Sequence, residues 1–166
     1  MRALKQLPRP NDDLYSTFDQ LNGEHPLIKQ VPESVVLYPV RQRSSGKVLY
    51  FNFNLAKEMG LIPSDHPETL NPQLEEKLLS TFNLQIINEY DQKKGSTRIL
   101  NKALDRKYMA TRYLQLQHQN KKGRTSGDGR SIWNGTVRSR STTWDVSSRG
   151  TGVTCLSPGF AEANKP

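Results

Sequence analysis

The chain has 166 residues, enough for one domain with a flanking segment, and its 34% apolar content predicts a lean core. Lysine and arginine number 24 against 16 aspartates and glutamates, so the net charge of +8 favours an anionic partner: a nucleic acid, a nucleotide or a membrane surface. The single cysteine, Cys155, excludes an internal disulfide. Because no apolar run matches a membrane span or a secretory signal, we expect a cytoplasmic protein with no membrane partner.

The first 90 residues mix prolines with short apolar runs. Residues 1–34 are predicted to be an irregular lead-in with one or two helical turns, because prolines interrupt them. The β-branched run 35–38 predicts a strand that Pro39 ends. After a turn at 44–46, the apolar run 48–51 predicts a second strand.

Two helices carry clear boundary signals. Asn52 predicts a cap for a helix over 53–59, which Gly60 ends. Asn71 followed by Pro72 predicts the start of a second helix. The expected core positions of the two helices are Leu55, Ala56, Met59, Leu74, Leu78, Leu79 and Phe82.

The second half of the chain has the composition of strands. Residues 84–90 fit either a helix extension or a strand, and 113–117 are strand-like. Segments 131–137 and 142–148 predict a hairpin, although Asn134-Gly135 fits a tight turn as an alternative. The expected packing residues of this hairpin are Ile132, Trp133, Trp144 and Val146. Taken together, these elements predict an α+β fold in which helices precede a small antiparallel sheet.

The positive charge is concentrated late in the chain. Residues 1–92 carry a net charge of −3, whereas 93–149 carry +11. This basic part is either a solvated face or a surface that receives phosphate, as in a nucleic-acid-binding module. Within it, Gly127 and Gly129 allow their backbone amides to approach a phosphate, and Arg130 adds a charged fork. The same glycines also fit an ordinary β-turn, and neither a Walker A loop nor a dinucleotide fingerprint is present.

The remaining chemistry-bearing residues give weaker signals. His25, His66 and His118 lack metal-ligand spacing and are predicted to lie at the surface. Tyr108, Tyr113, Trp133 and Trp144 fit either base stacking or, as we expect at this density, the core.

Three stretches together resemble the N-terminal part of the selenoprotein O family of pseudokinase-type protein adenylyltransferases. Residues 52–61, NFNLAKEMGL, resemble the family's N-x-x-L-A-x-x-L-G-L helix. Residues 127–135, GDGRSIWNG, resemble its G-D-G-R-A-I-L-L-G, and residues 144–154, WDVSSRGTGVT, resemble W-E-L-Q-L-K-G-A-G-P-T. The match covers roughly 35–157. It implies a lead-in at 1–34, a nucleotide-binding portion at 35–157 and a divergent tail at 158–166.

This resemblance implies a partial protein-kinase-like N-terminal lobe that binds ATP in an inverted orientation. The activity it implies is AMP transfer from ATP to serine, threonine or tyrosine hydroxyls of proteins. By analogy, Gly127, Gly129, Arg130 and Arg149 contact the nucleotide, and Arg149 replaces the family's lysine. The family's ligands for Mg²⁺ and its catalytic aspartate lie beyond the matched part. The resemblance therefore assigns no catalytic or metal-binding residue to this chain, and it implies either the front part of a longer enzyme or a shortened relic of one.

Overall fold

The computed structural model describes residues 13–87, 103–111, 131–139 and 142–149. The strands form one antiparallel sheet in the order β2-β1-β3-β4-β5, so the predicted α+β class is confirmed. Within the described ranges, no helix is long and apolar enough to cross a membrane. The elements are the 3₁₀ turn Ser16–Gln20, α1 Leu27–Gln30, the 3₁₀ turn Pro32–Ser34, β1 Val35–Gln42, α2 Phe53–Glu58, α3 Pro72–Phe82, β2 Leu84–Ile86, β3 Ala103–Thr111, β4 Ser131–Ser139 and β5 Thr142–Arg149.

Helices α2 and α3 begin where their capping residues predict. The Asn52 side chain accepts a hydrogen bond from the Leu55 amide at 3.0 Å, and the Asn71 side chain accepts one from the Leu74 amide at 2.8 Å. These bonds satisfy amides that have no partner inside the helix. Gly60, with a φ of +72°, follows α2 in the left-handed conformation that ends helices. Both predicted helices are therefore confirmed.

The prediction that Pro39 ends β1 is wrong. The strand runs on to Gln42, and Pro39 lies opposite Lys107 of β3. The register shifts between Pro39 and Arg41, and such irregularities are where a sheet accommodates a residue without an N–H. The Pro39 carbonyl is still used, because it accepts a hydrogen bond from the Ile87 amide at 2.8 Å.

The strand predicted at 48–51 is also absent. This segment follows β1, but both edges of β1 are already paired, one with β2 and the other with β3. The segment therefore has no free edge of β1 to join and remains irregular. Its apolar side chains divide, since Val48 and Phe51 are half-buried while Leu49 and Tyr50 are 86% and 81% exposed.

The structure decides two questions that the sequence left open, one about residues 84–90 and one about Asn134-Gly135. Residues 84–86 form strand β2 and do not extend α3. Segments β4 and β5 form the predicted hairpin, and Asn134-Gly135 lies inside β4 and makes no turn of its own. The strand-like stretch 113–117 lies outside the described residues, although β3 runs directly up to Thr111.

Residues 13–21 pack into the same core as the two helices. The side chains of Tyr15, Phe18 and Leu21 are almost fully buried, whereas Leu14 is exposed. Phe18 makes an edge-to-face contact with Phe82 of α3. The ammonium group of Lys77 reinforces this packing by bonding Asp13 and Asp19 at 3.0 Å each. The buried members of this cluster are Tyr15, Phe18, Leu21, Ala56, Met59, Leu61, Ile62, Leu74, Leu78 and Val137.

The next stretch of chain, residues 21–25, enters the sheet itself; we call it the N-terminal wedge. Among the described residues, β3 and β4 pair only at Met109 and Trp133. The wedge occupies the place where the two strands separate. There the Gly23 amide donates a hydrogen bond to the Asn134 carbonyl at 2.8 Å, so the wedge supplies a partner that β3 does not.

The other side of the wedge contacts β3. A methyl group added to Gly23 would collide with the Lys107 carbonyl oxygen, and Gly23 has a φ of +94°. Both conditions require glycine. The Tyr108 hydroxyl donates to the Leu21 carbonyl at 3.2 Å. The wedge is therefore held between the backbones of two strands.

Candidate functional site

The β4–β5 hairpin carries the only predicted site residue that lies within the described ranges, Arg149. The hairpin is paired on both sides of Asn134, from Arg138 opposite Thr143 near the turn to Ser131 opposite Arg149 at the open end. Cross-strand ladders of this kind fix side-chain positions closely. Arg149 therefore has a rigid backbone beneath an exposed guanidinium group.

The two faces of β5 differ in burial. Trp144, Val146 and Ser148 are half-buried and face the core, while Asp145, Ser147 and Arg149 are exposed. This alternation is the strand period of two. In β4, Ile132 is fully buried and Trp133 is half-buried against His25. The four predicted packing residues of the hairpin therefore all pack against other parts of the molecule. Ile132, Trp144 and Val146 pack in the core, and Trp133 packs against His25.

A bulge at Asn134 interrupts β4. The register shifts between Trp133 and Gly135, which adds one residue and keeps Ile132 and Val137 on the same face. Asn134 is fully buried, and its Oδ1 accepts a hydrogen bond from the Ser148 hydroxyl at 2.7 Å. Two contacts therefore hold the bulge: the Ser148 hydroxyl bonds the Asn134 side chain, and Gly23 of the wedge bonds the Asn134 carbonyl.

The structure brings the start of β4 to the end of β5. Arg149 lies opposite Ser131, the residue to which Arg130 is bonded along the chain. Gly127, Gly129 and Arg130 themselves lie outside the described residues. Arg149 is exposed and makes no ion pair within the described part of the chain.

Comparison with known proteins gives no family. No protein-family model, no curated protein and no solved structure matches the chain. Within the described ranges, no group of three or more histidine, cysteine, aspartate or glutamate side chains is placed to hold a metal ion.

A second feature, which the sequence analysis missed, is a cavity of about 730 Å³. It lies between α2, α3 and residues 43–52, which we call the strap. Arg149 does not line it, and the inner-face residue Val146 does. The apolar run 48–51 is the feature of the sequence that points to this cavity. Its side chains have no sheet to join, so they lie against the apolar side chains of the helices. The lining is mostly aliphatic and aromatic and includes Phe18, Val48, Phe51, Leu55, Ala56, Met59, Leu61, Leu78, Leu79 and Phe82.

The strap is fixed at both ends. At its start, the Arg43 amide donates to the Asn83 carbonyl at 3.0 Å, and the Asn83 side chain donates to the Ser45 carbonyl at 3.0 Å. At its other end, Asn52 caps α2. Among the described residues, no backbone hydrogen bond is made by residues 46–51. Within the described chain, the middle of the strap is therefore held by the packing of the Val48 and Phe51 side chains.

The prediction that the histidines lie at the surface is wrong for the two that are described. His66 is 7% exposed, and its Nδ1 lies 2.6 Å from the Pro67 carbonyl oxygen, which can only accept. Nε2 is therefore the acceptor for the Tyr15 hydroxyl at 2.8 Å, and that hydroxyl accepts in turn from the Asn71 side chain at 2.7 Å. His66 is a structural residue that joins the N-terminal segment to α3.

His25 is buried as well, at 8% exposure. Its Nδ1 accepts from the Leu27 amide at 3.2 Å, and its Nε2 lies 3.3 Å from an Asp145 carboxylate oxygen. The ring also contacts Trp133, with 5.0 Å between the ring centroids. This contact places the end of the wedge against the outer face of the hairpin. His118 lies outside the described residues.

Tyr108 belongs to the core, as expected. It is fully buried, and this burial raises the pKa of its hydroxyl, while the nearby Arg106 opposes the shift. Its ring is not accessible for stacking on a base. Trp133 and Trp144 are half-buried, and Tyr113 lies outside the described residues.

Proposed function

We propose that the chain is the nucleotide-binding portion of a protein adenylyltransferase with a kinase-like N-terminal lobe, as in the selenoprotein O family. One observation carries the proposal: Ser131, which directly follows Gly127–Arg130 in the sequence, is the cross-strand partner of Arg149. The second stretch of the resemblance, 127–135, thus includes the first five residues of β4, and β4 is paired with β5, the strand that ends at Arg149.

The chemistry of these residues suits a triphosphate. Arg149 presents a guanidinium group that forms two parallel hydrogen bonds with phosphate oxygens, and it does so from a backbone fixed by the hairpin. The glycines at 127 and 129 leave backbone amides accessible to phosphate. Arginine in place of the family's lysine keeps the positive charge and adds bidentate geometry.

The architecture supports the same proposal. Strand β1 precedes α2 and α3 in the chain and strands β2 to β5 follow them, and together they form the one small antiparallel sheet that the proposal needs. Residues 52–61, the first stretch of the resemblance, form the capped helix α2 and the glycine that ends it. The chain would contribute nucleotide contacts only. Transfer of AMP to a protein hydroxyl would need Mg²⁺ ligands and a catalytic carboxylate from outside the matched part.

The test is ATP affinity measured by calorimetry on the full chain, with and without Mg²⁺. A charge-assisted hydrogen bond contributes about 1.5–3 kcal/mol, so Arg149→Ala should weaken ATP binding about tenfold or more, and Arg130→Ala should do the same. Arg149→Lys keeps the charge but loses the second parallel hydrogen bond, so its ATP affinity should lie between that of Arg149→Ala and that of the unchanged chain. The matched control is Arg138→Ala, which removes the same charge from the turn end of the same hairpin and should leave ATP binding unchanged.

The alternative, a basic nucleic-acid-binding module, makes the opposite forecast. A random-sequence duplex would then bind with affinity that falls steeply with salt, and Arg138→Ala would weaken it as much as Arg149→Ala. ATP affinity that is equal in the Arg149→Ala and Arg138→Ala variants would refute the nucleotide proposal.

A further inference from the structure

The cavity beneath the strap has the size and chemistry of a ligand site. Its volume of about 730 Å³ lies within the roughly 300–1,000 Å³ range of pockets that enclose small molecules. Its floor is made of the buried side chains of Ala56, Met59, Leu61 and Leu78. An apolar space of this volume favours a ligand with a long apolar part.

The rim of the cavity has one sign of charge. Arg43 and Lys47, both on the strap, line it, and none of the lining residues that the structure describes is acidic. Both side chains are exposed, and neither forms an ion pair within the described residues. The ligand that complements this rim is an anion at the end of an apolar chain.

The strap also provides the route of entry. Its middle lacks backbone hydrogen bonds within the described chain, and it exposes Leu49 and Tyr50 beside the opening. Segments held only by side-chain packing open at low free-energy cost. A single-chain amphiphile can therefore enter tail first, with its head left between the cations.

We infer that this cavity binds a free long-chain fatty acid, with the alkyl chain between α2 and α3 and the carboxylate at Arg43 and Lys47. The inference is independent of the nucleotide proposal, because Arg149 does not line the cavity. The free acid is favoured over a bilayer because the apolar surface is concave and the charge lies at its rim.

The first arm of the test is chain length. Octanoate, decanoate and dodecanoate are titrated below their micelle concentrations by calorimetry. Each buried CH₂ should strengthen binding about fourfold. Decanoate should bind about fivefold more tightly than decan-1-ol, and the double variant Arg43→Ala/Lys47→Ala should lose that preference. Affinity that does not change with chain length, or a preference that the double variant retains, would overturn the inference.

The second arm blocks the space. Leu55 lines the cavity and is 41% exposed, so Leu55→Trp adds bulk inside it; Leu70, 39% exposed, does not line it, so Leu70→Trp is the matched control. We expect dodecanoate binding to fall at least tenfold in the first variant only. Equal affinities in the two variants would refute the assignment. If the thermal melt shows that Leu55→Trp is unfolded, the chain-length series and the double variant still decide.

The same experiment also distinguishes the fatty acid from two other possible partners of this apolar surface, a lipid bilayer and a second copy of the chain. Binding to phosphatidylglycerol vesicles without binding of monomeric dodecanoate would assign the apolar surface to a bilayer and overturn the inference. Self-association that Leu49→Ser abolishes, again with no dodecanoate bound, would assign it to a second copy of the chain and also overturn it.

Discussion

Gly23→Ala tests whether the wedge is confined between β3 and β4, because Gly23 is the wedge residue that contacts the backbones of both strands. Gly23 has a φ of +94°, which costs an L-residue about 1–2 kcal/mol. The added methyl group would also collide with the Lys107 carbonyl, a backbone atom. Relief of that collision would weaken the hydrogen bond to the Asn134 carbonyl, which contributes about 0.5–1.5 kcal/mol. The expected loss of unfolding free energy is about 2–3 kcal/mol.

The measurement is urea and thermal denaturation followed by circular dichroism. For a chain of this size, the expected loss corresponds to a fall in Tm of roughly 5–10 °C. Gly60→Ala is the matched control, because Gly60 also has a positive φ of +72° but its nearest neighbour, the Ser139 hydroxyl, lies at an ordinary 3.5 Å. That control should lose only about 1 kcal/mol. Equal losses in the two variants would show that the wedge is not confined between the strands.

Two further predictions concern the attachment of the N-terminal segment to α3. Tyr15→Phe removes the hydroxyl between His66 and Asn71 and leaves both side chains without that partner, so unfolding free energy measured in urea should fall by about 1–3 kcal/mol, and an unchanged midpoint would contradict the network. A hydrogen bond from Lys77 lowers the pKa of Asp13 below its ordinary 3.8, so this contact stabilises the fold above that pH and is lost as the pH falls through the lowered pKa. Asp13→Asn should therefore reduce the fall in unfolding free energy as the pH is lowered below about 4. An unchanged dependence of unfolding free energy on pH would show that the contact between Asp13 and Lys77 does not cause that fall.

The parts of the fold that could be predicted from sequence are those with local causes. Asn52, Gly60 and Asn71-Pro72 act within one helical turn, so they set the limits of α2 and α3 without reference to the rest of the chain. The hairpin β4–β5 is also local, since its two strands are separated by a short connection. Such features follow from neighbouring residues alone.

The features that sequence reasoning missed depend on which edges and surfaces are already occupied. Residues 48–51 have strand composition, but pairing of β1 on both edges leaves them to cover the cavity. Pro39 continues a strand because a register shift accommodates it. His25 and His66 are buried because distant residues contact them: the Trp133 ring lies against His25, and the Tyr15 hydroxyl bonds His66. No local pattern reports these arrangements.

The same limit applies to the candidate site. The position of Arg149 opposite Ser131 follows from the predicted hairpin. The bulge at Asn134 does not, because the hydrogen bond to its carbonyl comes from Gly23, which lies far away in the sequence.

The wedge has a consequence for the order in which the molecule folds. The hairpin β4–β5 closes over a short loop, whereas contacts such as the Gln20 side chain with the Arg138 amide join residues 118 positions apart. Loop closure over such distances is slow, and long-range contacts form late. Until residues 21–25 arrive, the facing backbones of β3 and β4 beyond Met109 and Trp133 remain without this neighbour. Residues 21–25 therefore precede β3 and β4 in the chain but should reach their native positions after the β4–β5 hairpin has formed.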